Sequence, residues 1–306
     1  MTKKNNHDYL LKVSVKDYGF QAVLGRFTDL CNHCVCQHRI KDAGAKLFAD
    51  ALTASALLVS QRQAPDEKYT IRFDCDGVIC GFILDSNDQG ALRGLPKNTS
   101  AGTAMQWNTA ADLEDLCGVK GSTVEITRSI KGRVVGTGKL ETAFLQPSMA
   151  LGYFVSVGDG VETEISAVTS LRPNPEAPLA SADGMMLQVL PDCDLVRFEQ
   201  IRNRLQESAA KAILADSGLT AEDKLQKILK YILPENAVLP EEETVQTLER
   251  VRFGCTCSRE HIFAMAVRML GREDLLALLN EKPVTGMRCH FCNTEYQFTA
   301  DDLKKL

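Results

Sequence analysis

Four cysteines near the C-terminus limit what this chain can fold into more than any other feature. Cys255-Thr256-Cys257 is followed, after 31 residues (258 through 288), by Cys289-His290-Phe291-Cys292. Two close pairs of thiolates, brought together across an intervening helical hairpin, offer four soft ligands, and tetrahedral sulfur coordination is what zinc prefers. A metal there closes a small domain. A unit of roughly 60 residues buries too little apolar surface to stand comfortably alone, and structural zinc supplies ~10–16 kcal/mol of folding free energy. Four protein ligands leave no open coordination position, so hydrolysis at this zinc is not expected.

The C-x-C half is unusual, because zinc ribbons repeat the C-x-x-C knuckle. Cys255 and Cys257 can both reach one metal, whereas a disulfide between them would be strained and rather oxidising. Thiolates are also the form that peroxide-type oxidants attack, and oxidation removes the ligands on which such a domain depends. Spacing alone leaves two readings open, a purely structural zinc ribbon and a redox-responsive one.

The remaining bulk features narrow the class. At 306 residues, 44% hydrophobic and 25% charged, the chain is expected to be globular with two or three packed regions. A net charge of -5 and a pI near 5.7 argue against wrapping a phosphate backbone. Met1 to Asn6 are polar and basic with no apolar run behind them, and the most apolar stretch, Ala43 to Val59, is broken by Lys46 and Asp50. A cytoplasmic protein without a membrane span is therefore expected. In that compartment thiols are kept reduced, so eleven cysteines point to metal binding, redox sensing or inert burial.

The N-terminal part reads as α+β. Thr28 is placed to cap a helix carrying Leu30, Cys31, Cys34, Val35 and His38 on one face, and Ala43 to Val59 reads as a helix buried between sheets. Alternation at Tyr69, Ile71, Phe73 and Cys75, and at Val78, Cys80, Phe82 and Leu84, predicts two strands joined by a tight Asp76-Gly77 hairpin. Further strands are expected at Ser122 to Ile130, Arg133 to Leu140, Ala150 to Val157, Val161 to Val168 and Met185 to Leu190. Ser170 to Asp183, with Pro173, Pro175 and Pro178, reads as a boundary. Helical patterns follow at Leu195 to Leu214 and Thr220 to Leu233, with Thr220 and Asp223 forming a cap. In the tail, Ser258 starts a helix that Gly271 stops, a short helix spans Glu273 to Asn280, Glu295 to Phe298 is a strand, and Thr299 with Asp302 begins a last helical turn. The expected fold is α+β: residues 1–182 with antiparallel sheets around a buried helix, a helical linker over 183–240, and a small zinc-binding domain over 241–306.

The residues around the four cysteines decide between the open readings. Phe253-Gly-Cys-Thr-Cys-Ser-Arg-Glu260 and Met287-Arg-Cys-His-Phe-Cys-Asn-Thr-Glu-Tyr-Gln-Phe-Thr-Ala-Asp-Asp302 resemble the C-terminal signature of the redox-regulated 33-kDa heat shock protein family. Weaker similarity upstream includes Gln146-Pro147-Ser148 and Gly184-Met-Met-Leu-Gln-Val-Leu-Pro191, so the resemblance spans nearly the whole chain; it departs at Leu140 to Leu145, where the family usually has a longer helical passage. The resemblance implies an ATP-independent chaperone, not an enzyme, that is inactive when reduced and bound to one zinc ion at Cys255, Cys257, Cys289 and Cys292. On oxidation Cys255 would pair with Cys257 and Cys289 with Cys292, zinc would leave, and the zinc domain and then the linker would lose structure. The freed surface would capture unfolding or oxidatively damaged proteins, and the active form would be a homodimer. Apolar linker residues such as Leu195, Phe198, Ile201, Leu205, Leu225, Ile228 and Leu229 would become available to clients.

Other readings are weaker. Cys31, Cys34 and Cys36 with His33 and His38 could form a second metal site, but Cys31 and Cys34 share a face with Leu30 and Val35 and read as core. Cys75 and Cys80 are diagonal neighbours in the expected hairpin, which favours packing over a disulfide, and Cys117 and Cys193 carry no pattern. His261 reads as a polar-face helix residue and His290 as a knuckle residue facing away from the metal. Gly136-Thr137-Gly138-Lys139 lacks the parts of a phosphate-binding loop, so ATP use is unsupported. The competing classes are a structural zinc-ribbon protein, a nucleic-acid-binding regulator, disfavoured by the acidic balance, and a thiol-disulfide oxidoreductase, disfavoured because Cys289 and Cys292 follow Pro283 and Gly286 rather than opening a helix.

Overall fold

Leu10 and Leu11 are adjacent in sequence and both almost wholly buried. Successive strand side chains point to opposite faces, so the strand that carries them must be covered on both sides, and that requirement organises the larger part of the molecule. The computed structural model describes residues 7–282 and 284–304; the polar start Met1 to Asn6, and Pro283, lie outside the described residues. The chain divides into two compact units, Met1–Phe253 and Gly254–Leu306.

The larger unit runs β1 (Tyr9–Val15), β2 (Phe20–Arg26), α1 (Thr28–His38), α2 (Asp42–Val59), β3 (Glu67–Cys75), β4 (Gly81–Ser86), β5 (Leu92–Pro96), α3 (Ala110–Cys117), β6 (Ser122–Ile130), β7 (Arg133–Thr142), α4 (Pro147–Gly158), β8 (Thr163–Leu171), β9 (Leu179–Val189), α5 (Leu195–Leu205), α6 (Ser208–Ala215), α7 (Ala221–Ile232) and β10 (Gln246–Thr247). Two five-stranded antiparallel sheets form, in the orders β10-β1-β2-β9-β8 and β5-β4-β3-β6-β7. Helix α2 is apolar all round and lies in a core shared with Leu10 and Val23 of the first sheet and Ile71, Leu84 and Ile126 of the second. This is the α+β arrangement around a buried helix that the sequence predicts.

The other face of the first sheet is equally apolar. Leu11, Val13, Phe20, Leu24, Met185 and Leu187 pack beneath α5, α6 and α7, which contribute Phe198, Ile201, Leu205, Leu214, Leu225, Ile228 and Leu229. Each such burial contributes roughly 1.5–3 kcal/mol, so the helices are held mainly by this face rather than by helical propensity. Leu195, expected among the covered residues, is instead exposed. One ion network is sealed into the same interface: the Asp183 carboxylate accepts from Arg26 Nε at 3.0 Å and from Lys224 Nζ at 3.0 Å, and Lys224 also donates to the Leu214 carbonyl. The side chains of Asp183 and Lys224 are fully buried. Burial lowers the Lys224 ammonium below its ordinary range, against the pull of Asp183.

Several local expectations are corrected. Thr28 is the first helical residue of α1 rather than its cap, and its hydroxyl accepts from the Ala182 N–H. The capping role falls to a distant side chain, Asp8, which accepts from the N–H groups of Asp29 at 2.9 Å and Leu30 at 3.1 Å. Ala150 to Val157 is not a strand but the body of α4: Pro147 starts the helix, and Ala150, Leu151, Phe154 and Val155 are buried at three-to-four spacing. The Asp76-Gly77 hairpin also fails. Phe73 pairs with Phe82 and Asp74 with Gly81, so Cys75 does not oppose Val78, nor Cys80 Phe73. Gly77 and Ile79 instead donate their N–H groups to the carbonyls of Cys117 and Leu116 at the end of α3. The proline-rich Ser170 to Asp183 stretch forms the ends of β8 and β9 and their connection, and position 182 lies inside β9. Leu195 to Leu214 is two helices, α5 and α6. Thr220 caps α7 as expected, accepting from the Asp223 N–H.

In the smaller unit, α8 (Arg259–Leu270) and α9 (Arg272–Glu281) precede a hairpin of β11 (Thr285–Arg288) and β12 (Glu295–Phe298) and a last turn, α10 (Ala300–Lys304). Among the described residues its apolar core cluster is Phe263, Leu275, Leu279, Phe298 and Leu303, with partly buried neighbours. Among the described residues no helix is long and apolar enough to cross a membrane.

The buried ion network generates a graded expectation. Asp183→Ala leaves two cations facing each other without an anion and should lower the stability of the larger unit by about 3–5 kcal/mol. Lys224→Met preserves the Arg26–Asp183 pair and should be markedly milder. Urea unfolding followed by Trp107, the single tryptophan, distinguishes the two; equal effects would show that the network is not coupled in this way.

Candidate metal centre

Two unrelated pieces of local structure deliver the four cysteines. Cys255 and Cys257 lie in the segment ahead of α8, whose start is set by Ser258: its hydroxyl accepts from the His261 N–H at 3.1 Å. Cys289 and Cys292 lie in the turn of the β11–β12 hairpin. That turn is closed by the Cys289 N–H to the Thr294 carbonyl at 3.0 Å and the Asn293 N–H to the Cys289 carbonyl at 2.8 Å, with Asn293 left-handed at φ 53°. The cross-strand Arg288–Glu295 pair, 2.9 Å, brackets it.

The sulfurs converge. Cys255 Sγ is 3.7 Å from Cys289 Sγ, Cys257 Sγ is 3.3 Å from Cys292 Sγ, and the four lie within 4.8 Å of one another. Metal–sulfur bonds of ~2.3 Å in a tetrahedron put sulfurs about 3.8 Å apart, so the cluster fits one tetrahedrally held ion. It is the one group of three or more metal-ligating side chains among the described residues. His33 stacks on Phe253 and His38 bonds the Gly94 carbonyl, while Cys31 and Cys34 are core residues. His261 and His290 are exposed.

The electrostatics of the cluster point the same way. Burial, opposed by a hydrogen bond from Tyr296 and reinforced by hydrogen bonds among the thiols, pushes Cys257 up to about 12. Burial also raises Cys289. For Cys292 burial acts upward but is outweighed by hydrogen bonds from Thr294 and Cys257, and the thiol falls to about 7. Four thiols this close do not ionise together unaided; a divalent cation reverses the balance and makes thiolates of them all. Sequence reasoning missed the groups around the sulfurs, Tyr296 with its hydroxyl 3.3 Å from Cys257 Sγ and Thr294 with its hydroxyl 3.2 Å from Cys292 Sγ. The signal was the alternation of Tyr296 and Phe298 along β12, with Thr294 in phase just ahead of it.

Fold and site together define a class: a two-sheet α+β body built around one buried helix, followed by a separate unit with a four-cysteine cluster that can hold a metal ion. The family model described as Hsp33 protein matches residues 8–299. The chain belongs to the Hsp33 family, a family of chaperones. Similar curated proteins are the 33 kDa chaperonin of Geobacillus sp. (strain WCH70), 27% identical over 299 residues with 98% of this chain and 97% of the relative covered, and that of Bacillus subtilis (strain 168), 26% identical with 98% of each covered. The crystal structure of a 33 kDa chaperonin from Thermotoga maritima superposes with a TM-score of 0.79 at 16% identity, covering 98% of this chain and 97% of that one.

Because protons must leave Cys257 and Cys289, whose thiols are raised, metal affinity should fall as pH drops from about 8 to about 6. Competition against a chromophoric chelator measures this, and a pH-independent affinity would count against an all-thiolate site.

Proposed function

We propose that this chain is an ATP-independent holdase whose client-binding surface is uncovered by oxidation of Cys255, Cys257, Cys289 and Cys292, and that the reduced, inactive form holds one zinc ion on those four sulfurs. The observation that carries this reading is the convergence of the four sulfurs in a unit whose apolar core is, among the described residues, five buried side chains. Zinc bound there would keep all four sulfurs as thiolates and tie the segment before α8 to the β11–β12 hairpin. On oxidation Cys255 pairs with Cys257 and Cys289 with Cys292. In each pair two thiolates surrender two electrons, and hydrogen peroxide takes them with two protons, breaks its O–O bond and leaves as two waters. The unit then loses its cross-tie and cannot persist on so small a core.

The consequence spreads along the chain. Immediately before Cys255, a strap is zipped onto the larger unit: Leu248 N–H donates to the Leu10 carbonyl at 2.9 Å, Leu92 N–H to the Arg252 carbonyl at 2.8 Å, and the Phe253 ring stacks on His33 at 3.9 Å. Ala237, Leu239 and Val245 of the same strap pack against the helical layer. Fraying from Phe253 backward loosens α7, then α6 and α5, and bares the apolar face of the first sheet for clients. In this reading 1–182 carries the client and dimer surfaces, 183–240 is the cover, and 241–306 is the sensor. The partners are unfolded or oxidatively damaged proteins in the cytoplasm, and the active form is a homodimer.

Zinc-loaded protein treated with hydrogen peroxide at raised temperature should release its metal and, together with that, suppress the light scattering of an aggregating client; metal loss with no gain in suppression would leave a structural zinc unit only. Independently, Ile228→Asp puts a carboxylate between α7 and the sheet and should give suppression in the reduced, metal-loaded protein. An inactive but loosened variant, judged by proteolysis of the linker, would contradict the assignment of this face to clients.

A further inference from the structure

The larger unit contains a second pair of cysteines brought together by the fold, one that the sequence spacing conceals. Cys75 ends β3, in register with Ser122 of β6, and Cys117 ends α3. The two chain segments lie against each other. Gly77 N–H donates to the Cys117 carbonyl at 2.9 Å and Ile79 N–H to the Leu116 carbonyl at 3.1 Å. A Cβ added at Gly118 would fall 2.0 Å from Asp76 Oδ1, and one at Gly77 would fall 2.3 Å from the Cys117 carbonyl carbon. Cys117 is buried in the main core, Cys75 is half-buried and packed against that core, and each thiol shifts the ionisation of the other, Cys75 downward and Cys117 upward.

Cys75 also lines a surface cavity of about 370 Å³, together with Asp74, Asp76, Lys120 and Glu141. Asp74 is paired with Lys97 and Asp76 with Lys120, so the lining carries little net charge and admits a small neutral oxidant. Cys80 is excluded from the pairing: it is exposed, and its sulfur turns back to the carbonyls of Gly77 and Val78.

We propose that Cys75 and Cys117 are a second peroxide-sensitive dithiol, separate from the four-cysteine cluster, in which Cys75 is oxidised first and Cys117 resolves it to a disulfide. The adjacent Cys117 thiol holds the Cys75 thiol below its ordinary range, whereas the proximity of Cys75, together with burial, raises Cys117, which stays protonated. The Cys75 sulfur attacks a peroxide oxygen; an S–O bond forms, the O–O bond breaks, and one water leaves. The Cys117 sulfur then attacks Cys75; the S–S bond forms, the S–O bond breaks, and the hydroxyl leaves with the Cys117 proton as a second water. Two thiols and one hydrogen peroxide thus give one disulfide and two waters. The product staples the end of α3 to the end of β3.

The test treats the full-length protein with hydrogen peroxide, alkylates remaining thiols, and digests it unreduced with a protease that cuts before aspartate, which separates Cys75 from Cys80 at Asp76. A cross-linked peptide joining Cys75 to Cys117, abolished by reduction and unchanged in Cys80→Ser, is expected. Cys117→Ser, checked for native circular dichroism, should instead accumulate a dimedone adduct at Cys75. Separate alkylation of Cys75 and Cys117 at a peroxide dose that oxidises Cys255, Cys257, Cys289 and Cys292, or a cross-link from Cys80 to Cys117, would overturn the assignment.

Discussion

Everything distinctive in the smaller unit depends on four sulfurs that gain nothing from being together unless a cation joins them. Thiols repel one another's charge once ionised, and as neutral groups they bond only weakly. Yet the cap at Ser258 and the closed turn at Asn293 hold all four within 4.8 Å. The apolar contacts of Phe263, Leu275, Leu279, Phe298 and Leu303 are too few to explain that precision of placement. Such a unit responds to whatever removes its ligands, and oxidation is the chemistry to which thiolates are most exposed.

The larger unit has a complementary weakness. A sheet apolar on both faces has no solvated side, and one of its covers is a set of short helices separated by turns rather than another sheet. The cover is stable while docked, because it buries large side chains and completes the charge pairing of Asp183 with Arg26 and Lys224. Undocked, it has little to keep it helical. In the proposed switch, the same apolar surface that stabilises the docked helices would, once bared, be able to hold unfolded chains. The proposed switch needs no new surface to be built, only an existing one to be uncovered.

Legibility in the sequence followed the physics of each element. The four sulfurs were readable because metal ligation imposes close spacing within each pair, and the caps at Ser258 and Thr220 because they are local. Helix α2 declared itself by being apolar all round. What could not be read was set by distant partners: Asp8 capping α1 across twenty residues of chain, and the Asp76-Gly77 turn opened by hydrogen bonds to α3. Strand β2, buried at nearly every position, lacks the alternation that marks a half-exposed strand, whereas β1 does alternate from Leu11 to Val15 and was legible there. The run from Ala150 to Val157 is a short apolar segment whose period does not separate strand from helix, and Pro147 was the cue to the latter. Cys117 showed no pattern because its partner, Cys75, lies more than forty residues earlier in the chain.

The central claim is that the oxidation state of four C-terminal thiols controls whether the helical layer stays on the sheet. Hydrogen exchange by mass spectrometry, comparing reduced metal-loaded protein with protein oxidised at all four cysteines, reads this most directly. Protection should be lost over Gly254 to Leu303 and over α5, α6 and α7, while α2, β3 and β6 keep theirs. Full protection of the three helices in protein that has lost its metal and formed both disulfides would contradict the proposed switch.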